Sequence, residues 1–584
     1  MLWHIGNTTV RTPYRLRDAL RALQDSQLNG NIRGRKQEND FAILLHNNGI
    51  LDAPRIIAGE DASDLRRKWR SALSQLGFIT PQLTRNTKSG TTDLGLAPLA
   101  EEIEELSGRA YEITPNGYRL AQAEIITTQQ ECFLRSLAIY RIPSLIENRY
   151  DTDSFSPLCY ILRIMNGLKL AGHKINFSFH EFALYIQTSA PADGIDLVIQ
   201  NIINFREGRN KAKGNVRAYD RNFYDNIAAN LDYKQSTLSD YADLSFRYLK
   251  ATGLFRNAGR GIILSPSRTQ LAALLTTEEQ LELSDKEYLQ TLWLGAQLPT
   301  DNAAASYAVI LDLIAHLQTR GIDIQVPPTT TVLADLEIKR HELEAILLQL
   351  DEQEYANNQA DQLDEIMTWM QAIPNRGSAK LPNGELVSIP KGEGPAYLEW
   401  IIWRSFLAIN SLCNAPWEAR RFQIDQDFLP VHCAPGGGAD MVFEFEEALI
   451  VVEVTLTSSS RQEAAEGEPV RRHVAQYTEK STKPVYGLFI ALQIDNNTAH
   501  TFRSGDWYLT DNTKLSLDIV PLTLNDFRVF LATSKNTPSD MPALLRQLLI
   551  ECRAKANQDA PQWKSSISSI VKRVASNHNQ TGAR

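Results

Sequence analysis

Residues 438–455 read GADMVFEFEEALIVVEVT: two apolar, strand-like runs, MVFEF and ALIVVEV, with Asp440 before the first and Glu453 near the end of the second. Short runs of this composition joined by a polar pair predict a hairpin. If it turns between Glu446 and Glu447, Asp440 and Glu453 are equidistant from the turn and face each other. Cross-strand partners have Cβ atoms roughly 4.5–5.5 Å apart, so two carboxylates would meet beside an apolar sheet. Unpaired, they would repel, and one would keep its proton. A hard divalent cation such as Mg2+ resolves that conflict, because it takes oxygen ligands and leaves positions for water and phosphate.

Other elements must hold this pair. Upstream, PAYLEWIIWRSFLAIN (395–410) is an apolar helix interrupted by Glu399, a costly residue there unless it has a partner. Downstream, GEPVRRHVAQYTEK (467–480) puts Glu468, Arg471, Arg472 and His473 at the start of a helix, and PVYGLFIALQI (484–494) reads as a buried strand. Ala-Asp, twelve residues, then Glu-Val-Thr resembles the PD-(D/E)xK nuclease motif, with Ala439 at the proline position and Thr455 at the lysine position. The order helix, strand, hairpin, helix, strand is similar to the core of that fold. The resemblance implies that Glu399 and Glu468 join Asp440 and Glu453 at a metal site. It also implies that Arg472 or His473 takes over the missing lysine's task of placing water or steadying charge on phosphate.

The rest of the chain narrows the class. Its 584 residues suggest about three to five domains. With 43% apolar and 22% charged residues it has the composition of a soluble globular protein. The N-terminus lacks a signal-peptide pattern, and no apolar run approaches a membrane span, so the expectation is a cytoplasmic protein without a membrane partner. The five cysteines form no C-x-x-C pair, which argues against a disulfide framework or a zinc site. A net charge of −9 does not exclude nucleic acid, because phosphate binding needs a local positive face and the charge is uneven. Arg33, Arg35 and Lys36 lie in a basic front. In DASDLRRKWRSALSQLGFI, the residues Leu65, Trp69, Leu73 and Leu76 repeat at helical spacing, which would turn Arg66, Arg67 and Arg70 outward. YEITPNGYRL (111–120) reads as a strand, a Pro-Asn-Gly turn and a second strand, completing a winged-helix order. A second such unit carries Arg206, Arg209, Lys211 and Lys213, then a helix, Gly253 and a glycine-turned hairpin over 238–266. These cations could neutralise phosphates without reading sequence. Residues 276–375 look helical and acidic, as a connector.

ADM followed by VEVT, EPVRRH, LEWIIW and IVPLTLNDF (519–527) together resemble the AlwI-like type IIS restriction endonucleases, a family that includes site-specific nicking enzymes. The resemblance implies a multidomain, mainly α chain with a C-terminal α/β/α nuclease domain, modular in the manner of FokI. Residues 1–125 and 126–275 would be winged-helix-like DNA-recognition subdomains, 276–385 a helical linker and 386–584 the cleavage domain. The enzyme would bind a short asymmetric double-stranded DNA sequence and, with Mg2+, hydrolyse phosphodiester bonds a few base pairs outside it. Asp440, Glu453 and Glu468 carry over as active-site acids, with His473 as a participant and Glu399 as a further acid. Cutting both strands would need a homodimer on DNA or a smaller partner nuclease subunit, and a companion DNA methyltransferase would protect the host. Two other classes fit parts of the pattern: a DNA-binding transcription regulator with a degenerate nuclease-like domain, and a structure-directed repair nuclease.

Overall fold

The computed structural model describes every residue except 52–62, 81–109, 148, 278–282, 376, 382–383, 385, 391, 459, 536–540 and 582–584. The chain divides into two compact units, Met1–Ile346 and Leu347–Arg584.

The first unit is mainly helical. Helix α1 (Gly34–Asn47) packs on α2 (Ser63–Gln75), whose Trp69 and Leu73 are buried as their spacing requires, as is Leu76 just past its end. The expected hairpin at 111–120 is absent. Thr114 instead caps helix α3 (Pro115–Gln122), its hydroxyl accepting from the Gly117 N–H at 3.0 Å, with Pro115 in the first turn. Thr-Pro here is a helix start, a cap followed by a residue whose missing N–H costs nothing at that position. Tyr111 and Ile113 make only isolated bridges, to Ile32 and Ile79. The first segment therefore lacks the wing predicted for it. The second helix–hairpin pair is present: downstream of α4 (Ile195–Lys211), α5 (Gln235–Ala251) leads into β1 (Phe255–Ala258) and β2 (Gly261–Leu264), and Phe177 bridges to Ile262. Gly259, at φ 59°, supplies the left-handed backbone of the two-residue turn.

Helix α6 (Leu333–Asn357) spans the division between units. Its buried face in the first unit is not purely leucine. Leu336 and Leu343 share it with Arg340 and Glu344, an i,i+4 pair at 3.2 Å. Residues 347–372, expected as connector, contribute Ala356 and, from α7 (Leu363–Ala372), Leu363, Ile366 and Met370 to the core of the second unit.

That core surrounds a mixed four-stranded sheet. Strands β3 (Met441–Glu444) and β4 (Leu449–Thr455) pair antiparallel, and β5 (Val485–Ala491) and β6 (Asp518–Thr523) add in parallel, giving the order β6-β5-β4-β3. Every residue of β5 is buried, as in a parallel strand covered on both faces. Helix α8 (Gly394–Ile409) is buried throughout from Ala396, and its Phe406 stacks on Phe443 at 4.0 Å. Helix α9 (Arg461–Lys480) packs on β4 and β5. It begins six residues before the helix start expected at Gly467 and carries Pro469 inside it. Among the described residues, no helix is long and apolar enough to cross a membrane.

Candidate active site

The hairpin register decides the geometry. Met441 pairs with Val452, and the turn closes with the Phe445 N–H donating to the Ala448 carbonyl at 2.9 Å. Asp440 and Glu453 lie one step beyond that pair and are hydrogen-bonded to each other. The Val454 N–H donates to Asp440 Oδ2 at 2.9 Å and fixes the carboxylate. On the other side, His473 Nδ1 is 2.5 Å from Glu453 Oε1. Glu453 and His473 are both buried, and His473 Nε2 has no hydrogen-bond partner among the described residues.

Glu399 reaches the same place from α8. Its Oε2 accepts from the Ala434 N–H at 2.7 Å, and it is hydrogen-bonded to Cys433. Burial, reinforced by the Asp440 charge, pushes Glu399 well above the carboxylate range. Burial and then Glu453 do the same to Asp440. Glu453 is pushed up to about 8, first by burial; the hydrogen bond with Asp440 opposes the rise and the charge of Glu466 adds to it. The carboxyl pair therefore shares protons at neutral pH. Burial, then Arg472 and Arg421, holds His473 below its ordinary range.

Helix α9 sorts its charged residues onto two faces. Glu466, Val470 and His473 follow i, i+4, i+7 spacing; Val470 and His473 are buried and Glu466 is half-buried. Glu466 is hydrogen-bonded to Thr455, and burial raises it too. Glu468, exposed, and Arg472, half-buried, lie on the other face and pair with each other at 3.0 Å. The helix thus brings Glu466, not the predicted Glu468, toward the pair, and it spends Arg472 on a surface ion pair. Two residues were missed in the sequence, Glu466 and Arg421. A spacing of seven from His473 would have found Glu466, had the helix been extended back through Pro469. For Arg421 the sequence offers no signal.

A family model described as "AlwI restriction endonuclease" matches residues 74–530, well over half of the chain. The chain belongs to the AlwI restriction endonuclease family. That places it among the restriction endonucleases, which cleave DNA. No curated protein matches the sequence. Among solved structures, it is similar to the small subunit of the heterodimeric restriction endonuclease R.BspD6I, at 23% identity over 35% of this chain and 96% of that one, with a TM-score of 0.27.

For an endonuclease of this family, the donor set is all oxygen at its centre. Asp440 and Glu453 suit a hard cation such as Mg2+, with Glu466 acting on both through charge and Glu399 close enough to feel theirs. Among the described residues, no group of three or more His, Cys, Asp or Glu side chains is placed so as to hold a metal ion. An ion held by the pair would take its remaining ligands from water and phosphate, as Mg2+ usually does.

In the first unit, Arg33, Arg35, Lys36 and Arg67 are exposed, as are Lys211 and Lys213. The side chain of Arg66 lies outside the described residues. Two predicted DNA contacts are instead part of the fold. Arg70 is buried, pairs with Glu38 and lies over the Tyr111 ring. Arg206 forks onto Glu181 at 3.0 Å through both Nε and Nη2, and donates to the Lys174 and Asn176 carbonyls. Arg209 is half-exposed and bidentate on Asp220. A guanidinium already saturated by a buried carboxylate has few donors left for phosphate.

Proposed function

We propose that this chain is a type IIS restriction endonuclease, or the large, nicking-competent subunit of one, using Mg2+ to hydrolyse DNA a few base pairs outside a short asymmetric site. The observation that carries the reading is the Asp440–Glu453 pair: two carboxyls hydrogen-bonded to each other at one end of a hairpin, in an endonuclease-family chain. Asp440 and Glu453 would hold the ion, with Glu466 and Glu399 setting the charge around it. A bound Mg2+ would neutralise the pair and polarise a phosphate and a water. His473 contacts Glu453 through Nδ1, and its unpartnered Nε2 would take a proton from the attacking water. In-line attack would leave a 5′-phosphate and a 3′-hydroxyl.

Recognition is assigned to 1–275 and cleavage to the second unit, which begins at Leu347 rather than at 386, with a second winged-helix-like element in 177–264. Arg33, Arg35, Lys36, Arg67, Lys211 and Lys213 supply phosphate contacts. One site faces one strand, so double-strand cutting needs a second copy or a smaller nuclease subunit. A companion methyltransferase and a cytoplasmic location complete the proposal.

The test is to incubate the purified chain with supercoiled plasmids and Mg2+, with an EDTA control, and to sequence the product ends. Ends at one fixed offset from one short motif, lost in EDTA, support the proposal. Scattered ends, or cleavage that survives chelation, contradict it.

A further inference from the structure

We propose that Arg421 is the cation that faces the scissile phosphate, in the role of the lysine that this chain lacks at Thr455. The inference rests on Asp440 and Glu453 being the active site. The other candidates around that pair are already engaged. The Thr455 hydroxyl accepts from the Thr457 N–H at 3.1 Å and is hydrogen-bonded to Glu466. Arg472 pairs with Glu468 on the exposed face. Arg471 turns to the Asp506 carbonyl and lies over Trp507. His473 is held at Nδ1 by Glu453.

Arg421 is built into the site from three sides. Its N–H donates to the Asp440 carbonyl at 3.1 Å, so its backbone is tied to the metal-site residue itself. Its Nη1 donates to the Ala439 carbonyl at 3.3 Å, and among the described residues no carboxylate pairs with it. Its guanidinium lies over Gly438, where a Cβ would stand 2.4 Å from Nη1 and 2.9 Å from Cζ. A side chain at 438 would therefore displace the guanidinium from this position. Gly436 and Gly437, next along the loop, have nothing within 4 Å of where a Cβ would be, so this side is open to a ligand. The neighbouring Arg420 anchors the segment: it forks onto buried Glu352 at 2.7 Å through both Nε and Nη2, and it donates to the Phe422 carbonyl. With one weak internal bond made, most of the Arg421 fork is left for phosphate oxygens. A fixed cation at that point would stabilise charge that grows on phosphate as water attacks.

The experiment measures single-turnover cleavage and DNA affinity for the full chain on its cleaved DNA with Mg2+. Arg421→Ala should lower the cleavage rate about 100-fold or more, with affinity within about threefold of wild type, a split that marks a transition-state contact. Arg421→Lys should recover part of the loss. Gly438→Ala should also slow cleavage, by displacing the guanidinium, and should add nothing in the Arg421→Ala background. A wild-type rate in Arg421→Ala, or additive effects of the two substitutions, overturns the inference. Should Arg421→Ala not fold, Arg421→Lys and Gly438→Ala decide the matter, and wild-type rates in both overturn it. Asp440→Asn separates the two levels: if that variant cleaves normally, it is the active-site reading that fails.

Discussion

Glu466 and Glu468 are two residues apart and do opposite things. The first turns toward the carboxyl pair and the second toward solvent, where it pairs with Arg472. Exposed pairs of this kind contribute about 0–1 kcal/mol. Glu468→Gln should therefore leave the cleavage rate within about twofold, whereas Glu466→Gln should lower it about 10- to 100-fold, as removing a charge that tunes a metal site does. Equal effects would contradict the placement of the helix faces. Protonation gives a second test. Glu453 rises from 4.5 to about 8 on folding, so between those values the folded chain holds a proton that the unfolded chain has lost. Stability from this group is full below about pH 4.5 and declines as pH rises toward 8. Glu399, Asp440 and Glu466 shift the same way. His473 shifts downward and acts in the opposite sense, its contribution being lost as pH falls below 6.5. In EDTA, the melting temperature of the second unit should fall between pH 6.5 and 8.5, and Glu453→Gln should flatten that fall. A melting temperature that rises over this range in the wild type would contradict the burial of the pair. The meeting of Asp440 and Glu453 was legible, because a symmetric count from a two-residue turn fixes the register. Glu466 was not, because a proline after a glycine and an acid reads as the first turn of a helix.

At the scale of elements, period and composition marked the hairpin strands at 441–455, the buried strand at 485–491, the hairpin at 255–264 and the helices over 63–75, 394–409 and 461–480, but not the strand at 518–523. Other exceptions came from local chemistry with two meanings. Thr-Pro-Asn-Gly is a turn by composition and a capped helix start by geometry, and the Thr114 hydroxyl decides between them. Pro469 stays inside α9 because the helix face beside it, Val470, His473 and Val474, is fully packed. Arg404 in α8 shows the same tertiary control. It is buried, and its guanidinium donates to Gln359, Gln362 and Glu365, joining α8 to the segment that leads into α7. Arg404→Ala leaves these groups without their partner and should cost about 3–5 kcal/mol, measurable by denaturant unfolding of the second unit. A loss below about 1 kcal/mol would show that the 359–372 segment is peripheral.

For the whole molecule, composition indicated a multidomain chain, but the boundary drawn by packing falls at 346/347, inside α6, where nothing in the sequence changes character. Hydrophobic spacing continues through that point, so the change of partners is invisible until the packing is known. A fragment spanning 347–584 should unfold cooperatively, while one beginning at 386 should not, because it lacks Ile366 and Met370 of the core. The exposed cations of the first unit make a separate prediction. Replacing Lys211 and Lys213 by alanine should reduce the salt dependence of DNA binding by about 0.9 in the log–log slope for each phosphate that is no longer neutralised. The central claim concerns the pair itself. The most direct measurement compares the wild type with Asp440→Asn on the same duplex with Mg2+, following binding by gel shift and cleavage in a single turnover. The account predicts unchanged binding and a cleavage rate reduced at least about 100-fold. Wild-type cleavage by Asp440→Asn would place the active site elsewhere.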